Sequence, residues 1–297
     1  MRWDWMLRRN AGIITRSPLH RWAGALAIAS MLALVGFAVG AQDTGKDLPS
    51  AETIIEKGIE ATGGRAAIEN VRTMVTKSTM ELPAMGIKAS MTHYAALPNS
   101  SYSVIESPEM GKIEEGASGG VYWEMTQMTG PRIKEGDEKA LAKRSTLDSD
   151  LHWRETFPDV SVAGIDTVDG RPCYKVVMIP TEGPVDTRYY DMETYLVAKV
   201  EMEVESPMGR VPIESFASDY RWVDGMLIPH RNRQVVMKMQ EMVFTMDSIA
   251  CNVAIPDSVF RLPEPIQALL AKSAAPAESA PAGETEKAGS STASPGK

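Results

Sequence analysis

The chain between residues 87 and 253 is dominated by a period of two, in which apolar and polar residues alternate. In residues 196–204 every second position is apolar, and Lys or Glu stands at 199, 201 and 203. This pattern is typical of a β-strand with one buried face. Ser118-Gly119-Gly120 and Asp224-Gly225 separate such runs and are typical hairpin turns. Further strand-like runs occupy residues 87–95, 102–106, 112–117, 121–126, 211–220, 226–239 and 241–253.

Two stretches without this alternation predict helices. Ser50 can cap a helix that runs to about Thr62, because Ile55 and Ile59 share one face and Gly63-Gly64 follows. Between the two blocks of strands, residues 136–157 mix charged residues with Leu and Trp. We interpret this segment as one or two helices that cross the sheet.

The number of strand-like runs limits the possible architectures. An antiparallel sheet of about nine to eleven strands twists and curls, and one of its faces must be covered. The sequence therefore predicts an α+β, mainly β fold. We expect a strongly curved, unclosed half-barrel with the N-terminal helix and the central helical insertion on its concave face. Two sequential smaller sheets are the alternative.

The N-terminal residues predict export. Five arginines precede an apolar run at 23–39, and the small residues of Val39-Gly40-Ala41 precede Gln42. This order is typical of a secretory signal peptide at 1–41, and cleavage would release a soluble periplasmic protein. The alternative is an uncleaved anchor in the inner membrane, although the run is shorter than the roughly 20 residues of a spanning helix.

The remaining chain divides by composition. A short linker is expected at 42–47 and a single β domain at 48–268. Residues 269–297 are rich in Ala, Pro and Ser, and we expect a disordered tail there because little apolar surface is available for burial.

Charge and cysteine content exclude several classes of function. The net charge is −8, and loss of the basic leader makes the mature chain more acidic, so nucleic acid is a poor electrostatic partner. Cys173 and Cys251 are the only cysteines. Export permits a disulfide between them, but both lie in strand-like runs, and we favour the interpretation that each is a small buried residue. With His93, His152 and His230 they match no zinc-ligand spacing, and we expect no metal site and no cofactor.

The familiar catalytic motifs do not occur in the sequence. There is no G-x-S-x-G elbow, no zinc-protease motif and no P-loop. His93 shares a strand face with Met91 and Ala95 and can be read as a base, but the sequence indicates no nucleophile for it. An interior structural histidine is the favoured interpretation, and we expect a protein that is not an enzyme.

Methionine is unusually frequent, with 19 in the chain. The densest cluster contains Met237, Met239 and Met242 and continues to Phe244 and Met246. Thioethers are soft ligands that select Cu(I), and they also line surfaces that accept varied apolar partners. We favour cavity lining or core packing over copper binding.

Several short segments resemble a known family. They are Ala61-Thr62-Gly63-Gly64, Gly120–Glu124, Tyr220–Pro229, and Ile249–Asn252 followed by Ile255–Phe260. Together with the leader they resemble bacterial envelope proteins of the lipoprotein-localisation (LolA/LolB-like) superfamily. The resemblance implies an unclosed barrel with a helical lid and an apolar cavity for acyl chains, and it carries over no catalytic residue. The residue directly after Ala41 is Gln42 rather than Cys, which matches a diffusing carrier better than a lipid-tethered receptor.

These observations predict a non-catalytic binding or carrier protein for an acyl chain, a lipidated protein or another apolar ligand. The alternatives are an envelope protein-interaction module with a filled core and a Cu(I)-binding protein. The sequence does not indicate an oligomeric state. The residues expected to line the ligand cavity are Met91, Trp123, Met125, Val200, Met202, Phe244 and Met246.

Overall fold

The structure is a computed structural model that describes residues 48–206 and 209–274. These residues fall within one structural unit of the chain, Lys46–Lys297. The predicted signal peptide, its cleavage site, the short linker and the tail after Ala274 lie outside the described residues.

The described elements are five α-helices, three short 3-10 turns and thirteen strands. The helices are α1 Ala51–Ala61, α2 Gly64–Glu69, α3 Gly136–Arg144, α4 Trp153–Thr156 and α5 Glu264–Ala274. The first strands are β1 Thr73–Leu82, β2 Ile87–Ala96, β3 Ser100–Ser107, β4 Gly111–Ser118, β5 Val121–Thr126, β6 Gly130–Ile133 and β7 Asp159–Val168. The others are β8 Arg171–Ile179, β9 Asp186–Asp191, β10 Val197–Ser206, β11 Gly209–Val223, β12 Met226–Val236 and β13 Gln240–Cys251.

All thirteen strands form one sheet in the order β6-β5-β4-β3-β2-β1-β13-β12-β11-β10-β9-β8-β7. The chain starts in the middle at β1 and runs outward to the edge strand β6. It then crosses through α3 and α4 to the opposite edge and returns to pair β13 antiparallel with β1. The predicted α+β, mainly β class with an unclosed antiparallel sheet is confirmed, and the alternative of two separate sheets is wrong.

The strand count exceeds the prediction of about nine to eleven. The short strand β6 has four residues and includes Pro131, so it shows no clear alternation. In β9 two of the buried positions are Asp186 and Asp191, which are paired with arginines. Because these buried residues are charged, β9 does not show the apolar pattern of a buried strand.

The crossing helix shows that the sheet curves. Asp137 of α3 accepts a hydrogen bond from the backbone N–H of Glu205 on β10, with a distance of 2.7 Å. The neighbouring Glu138 pairs with Arg132 on β6 at 2.5 Å. Since β6 and β10 lie on opposite sides of the central β1–β13 pair, one helix reaches both only where the sheet wraps around it.

The N-terminal helix forms as predicted. Ser50 Oγ accepts from the N–H of Thr53 at 3.2 Å and caps α1. The isoleucine face of α1 packs against α4 and the concave side of β8 and β9. The buried residues of this core include Ile54, Ile55, Ile59, Trp153, Phe157, Val176, Met178 and Tyr190.

The junction between α1 and α2 requires glycine. Gly63 has a φ of +114°, and a Cβ placed on it would lie 2.2 Å from the carbonyl oxygen of Gly225. Leu227 N–H also donates to the carbonyl of Thr62 at 3.0 Å. Two of the segments that carried the family resemblance therefore pack against each other.

Both cysteines are free. Cys173 is fully buried in a cluster with Val168, Tyr189 and Ala198. Cys251 packs against the core beneath the helices, on the other face of the sheet. The disulfide interpretation is therefore wrong.

The C-terminal helix corrects the predicted start of the disordered tail. α5 runs to Ala274, so residues 269–274 are helical. Ile266 is completely buried and α5 contacts β6, which anchors the helix. Among residues 48–206 and 209–274, no helix is long and apolar enough to cross a membrane.

Candidate functional site

The concave face of the central strands carries a row of polar side chains. Antiparallel pairing places His93 of β2 opposite Thr76 of β1 and Ser103 of β3. The row continues through Glu115 and Glu124 and ends at Arg132. Cross-strand partners point to the same side of a sheet, so the row crosses six strands on one face.

Beside this row lies a cavity of about 450 Å³, which we call the central cavity. Its apolar lining consists of half-buried Met91, Ile105, Phe244 and Met246. Its polar lining consists of Thr76, Ser78, His93, Glu115, Asn232 and Gln234. The volume lies within the range of about 300–1,000 Å³ that is typical of small-molecule sites.

A second cavity of about 320 Å³ lies between the row and α3. Lys134, which follows β6, and Leu141 of α3 contribute to its walls. His93 and Glu115 line both this cavity and the central cavity. The two spaces therefore adjoin along the polar row.

A third cavity, of about 370 Å³, lies between the helices and the other half of the sheet. Its walls are mainly apolar and include Ile55, Ile59, Leu147 and Ile228, with Arg188 as its cationic residue. The space between sheet and helices is therefore not completely filled by side chains.

A further depression, of about 720 Å³, lies at the ends of β10 and β11, and half of its lining residues are charged. They include Asp137, Glu203, Glu205, Arg210 and Lys238. Its charged walls fit an apolar ligand poorly, because ligand burial would remove the charges from water.

His93 has a partner that sequence reasoning missed. Its Nδ1 lies 2.7 Å from Ser103 Oγ, and Ser103 is buried. Burial lowers the pKa of His93, and the nearby carboxylate of Glu115 opposes this shift. The neutral imidazole supplies one donor and one acceptor, so the pair forms a hydrogen-bonding wall. The two residues are ten positions apart on adjacent strands, so only the pairing register of β2 and β3 could have predicted this contact.

The pKa of His93 predicts a pH dependence of stability. Because the folded pKa lies below the unfolded value near 6.5, the unfolded state binds more protons as the pH falls through that value. The free energy of unfolding should therefore fall between about pH 7.5 and pH 5.5. We expect His93→Gln to remove part of this decrease, measured by urea denaturation at each pH.

His152→Gln is the matched control, since the His152 side chain is 52% exposed and lines none of the cavities described above. This variant should retain the part of the decrease that His93→Gln removes. An unchanged pH dependence in His93→Gln would contradict the assignment.

The charged groups beside the row are paired with one another. Lys134 Nζ lies 2.5 Å from Glu115 Oε2, and Arg132 contacts both Glu124 and Glu138. The hydrogen bond from Arg132 lowers the pKa of Glu138. These pairs make the α3 side of the site polar without leaving a lone charge on it.

The structure divides the residues predicted to line a ligand site. It brings Met91, Phe244 and Met246 together in the central cavity. Met202 lines the charged depression. Val200 is the cross-strand partner of Arg188 and Ser215 and shares the concave face with them. It lines none of the cavities described above.

Trp123 and Met125 lie on the other face of the sheet. Trp123 pairs with Gly116, is only 2% exposed and has its ring 6.2 Å from that of Tyr102. Met125 pairs with Glu114 on the same face. Trp123 and Met125 share one face of β5, as predicted, but that face is convex. The concave face of β5 carries Tyr122 and Glu124 instead.

The methionine cluster is divided in the same way. Met237 and Met239 are exposed in the turn between β12 and β13. Met242 instead packs against the buried cluster of Met80 and Leu82. The three thioethers proposed as Cu(I) ligands therefore occupy different environments.

Comparison with known proteins identifies the fold. No protein-family model matches the chain, and no curated protein sequence matches it. The structure is similar to that of a LolA superfamily protein from Nitrosomonas europaea, with 13% identity and a TM-score of 0.50. The match covers 72% of this chain and 99% of that chain. At this identity the likeness shows the fold alone, and it agrees with the resemblance found in the sequence.

Two other solved structures are similar at a lower score. A DUF1329 family protein from Desulfovibrio piger is 14% identical with a TM-score of 0.49, covering 71% of this chain and 97% of that chain. A putative outer membrane lipoprotein-sorting protein domain from Vibrio parahaemolyticus is 12% identical with a TM-score of 0.47. That match covers 69% of this chain and 97% of the domain.

Proposed function

We propose that this protein is an exported, non-catalytic carrier that binds an apolar ligand, such as an acyl chain, on the concave face of its sheet. The observation that carries the proposal is the central cavity of about 450 Å³, in which Met91, Ile105, Phe244 and Met246 remain only half-buried. A filled core would cover these side chains. A ligand site instead leaves apolar surface for its occupant.

The composition of the apolar wall suits a flexible ligand. Met side chains adapt to varied apolar partners, and Phe244 offers a large rigid surface. Each buried methylene contributes about 0.8 kcal/mol, so a chain that buries six methylenes gains about 5 kcal/mol before the entropic cost of binding.

Binding can be tested directly with a fluorescent long-chain alcohol. We expect saturable binding, and we expect an unlabelled methyl ester of palmitic acid to displace the probe. We also expect organic extraction of the purified protein to release an alkyl-bearing molecule. Absence of both probe binding and extractable lipid would contradict the carrier function.

Export rests on the leader at residues 1–41, and we propose a soluble periplasmic location after cleavage. The intact mass of the protein recovered from the envelope fraction should correspond to a chain that starts at Gln42. Retention of the full leader in the inner-membrane fraction would instead favour the anchored alternative.

A protein-interaction role is the second candidate, and one surface favours it. Exposed apolar side chains occur at the same end of several strands, and we call this set the apolar rim. They are Met85, Met128, Ile179, Val185, Met237 and Met239. Because the rim lies outside the central cavity, a Met128→Ser, Met239→Ser double variant should keep alkyl-probe binding even if it loses a protein partner.

A further inference from the structure

The central cavity has two chemically different walls that meet at one cross-strand pair. Asn232 of β12 and Phe244 of β13 are direct partners in the sheet, so an amide and a phenyl ring stand side by side. Gln234 extends the polar wall along β12, while Met246 extends the apolar wall along β13. A purely apolar ligand would leave the amides of the polar wall against hydrocarbon.

The polar wall has unused hydrogen-bonding capacity. Asn232 Oδ1 accepts from Ser215 Oγ at 3.0 Å, and its side-chain NH₂ group has no partner within the described part of the chain. The Gln234 side chain likewise has no hydrogen-bond partner among residues 48–206 and 209–274. An amide can donate two hydrogen bonds and accept two, so these groups can recognise a ligand.

The cavity offers no lone charge to a ligand. Among its described lining residues Glu115 is the only carboxylate, and Lys134 neutralises it at 2.5 Å. His93 is neutral near pH 7 because burial lowers its pKa. A charged head group would enter a half-buried site without a counter-ion, which is costly.

We propose that the ligand of the central cavity is an amphiphile with a neutral, hydroxyl- or amide-bearing head. The head hydrogen-bonds to Asn232 and Gln234, and the alkyl tail lies over Phe244, Met246 and Met91. This inference rests on the proposed carrier function and narrows it from apolar molecules in general to uncharged polar lipids.

Three ligands with the same tail test the head preference. They are monopalmitoylglycerol, which has two free hydroxyls, methyl palmitate, which has no donor, and palmitate, which is anionic. In competition with the fluorescent alcohol, monopalmitoylglycerol should bind about tenfold more tightly than either of the others, as two hydrogen bonds would provide.

Gln234→Leu should reduce this preference to less than about threefold, because monopalmitoylglycerol loses more hydrogen bonds than methyl palmitate does. The matched control is Gln240→Leu, because Gln240 begins β13 at the rim and does not line the cavity. This control should retain the full preference.

Equal or tighter binding of palmitate, or a full preference in Gln234→Leu, would overturn the inference while leaving the carrier function intact. If none of the three ligands displaces the probe and the probe itself does not bind, the carrier function fails instead. Should Gln234→Leu be unstable, the order of the three affinities in the wild-type protein still decides the question.

Discussion

Replacing Asp186 with alanine should lower the free energy of unfolding by about 3–5 kcal/mol. The Asp186 side chain is 6% exposed and pairs at 2.6 Å with Arg144, which is 11% exposed. It also lies 3.4 Å from Arg188. Burial lowers the pKa of Arg144 and Asp186 opposes that shift, so the substitution leaves a buried guanidinium without its counter-charge.

The same ion pair fastens the crossing segment to the sheet. Arg144 ends α3 and also donates two hydrogen bonds to the carbonyl of Pro184, just before β9. Loss of Asp186 should therefore destabilise both the crossover and the returning half of the sheet. Urea denaturation followed by circular dichroism measures the effect.

Glu81→Ala is the control for this experiment. Glu81 and Lys88 form an ion pair of the same length, 2.6 Å, but the Lys88 side chain is 74% exposed. Solvent-exposed pairs contribute little, so this variant should remain close to wild type. Similar losses in the two variants would contradict the importance of the buried pair.

Replacing Thr76 with phenylalanine should weaken binding of the fluorescent alcohol at least about tenfold, which corresponds to about 1.4 kcal/mol. Thr76 lies on β1 in the lining of the central cavity. A phenyl ring there occupies the space proposed for the alkyl tail. Both residues favour strands, so the fold should be retained.

Thr92→Phe makes the same substitution on the opposite face. Thr92 belongs to the adjacent strand β2, but it alternates with the cavity residues Met91 and His93. This variant should bind the probe as wild type does. Equal affinity in Thr76→Phe and wild type would place the ligand outside the central cavity.

The sequence predicted the class of fold well because each part of that prediction rests on a local signal. Ser50 and Gly63 bound α1 as expected, and the alternating runs became strands. The crossover was predicted because residues 136–157 lack a period of two. The predicted strand ranges did not include β1, β7 or β8. They also lacked the polar strand β9 and the four-residue β6, neither of which shows alternating hydrophobicity.

The site was predicted less completely, for a physical reason. Alternation shows which residues of one strand share a face, but not which face is concave. Met91 and Phe244 fell on the concave face, whereas Trp123 packs on the convex side with Tyr102. The meeting of His93 and Ser103 depends on the register between β2 and β3, which is set by tertiary pairing.

The central claim is that an alkyl ligand occupies the concave cavity, and methionine methyl NMR tests it most directly. The protein would be labelled with ¹³C at its methionine methyl groups and titrated with methyl palmitate. The account predicts shifts at Met91 and Met246, which line the cavity, and none at Met125 on the opposite face. Unchanged Met91 and Met246 signals at saturating ligand, or shifts confined to Met125, would contradict it.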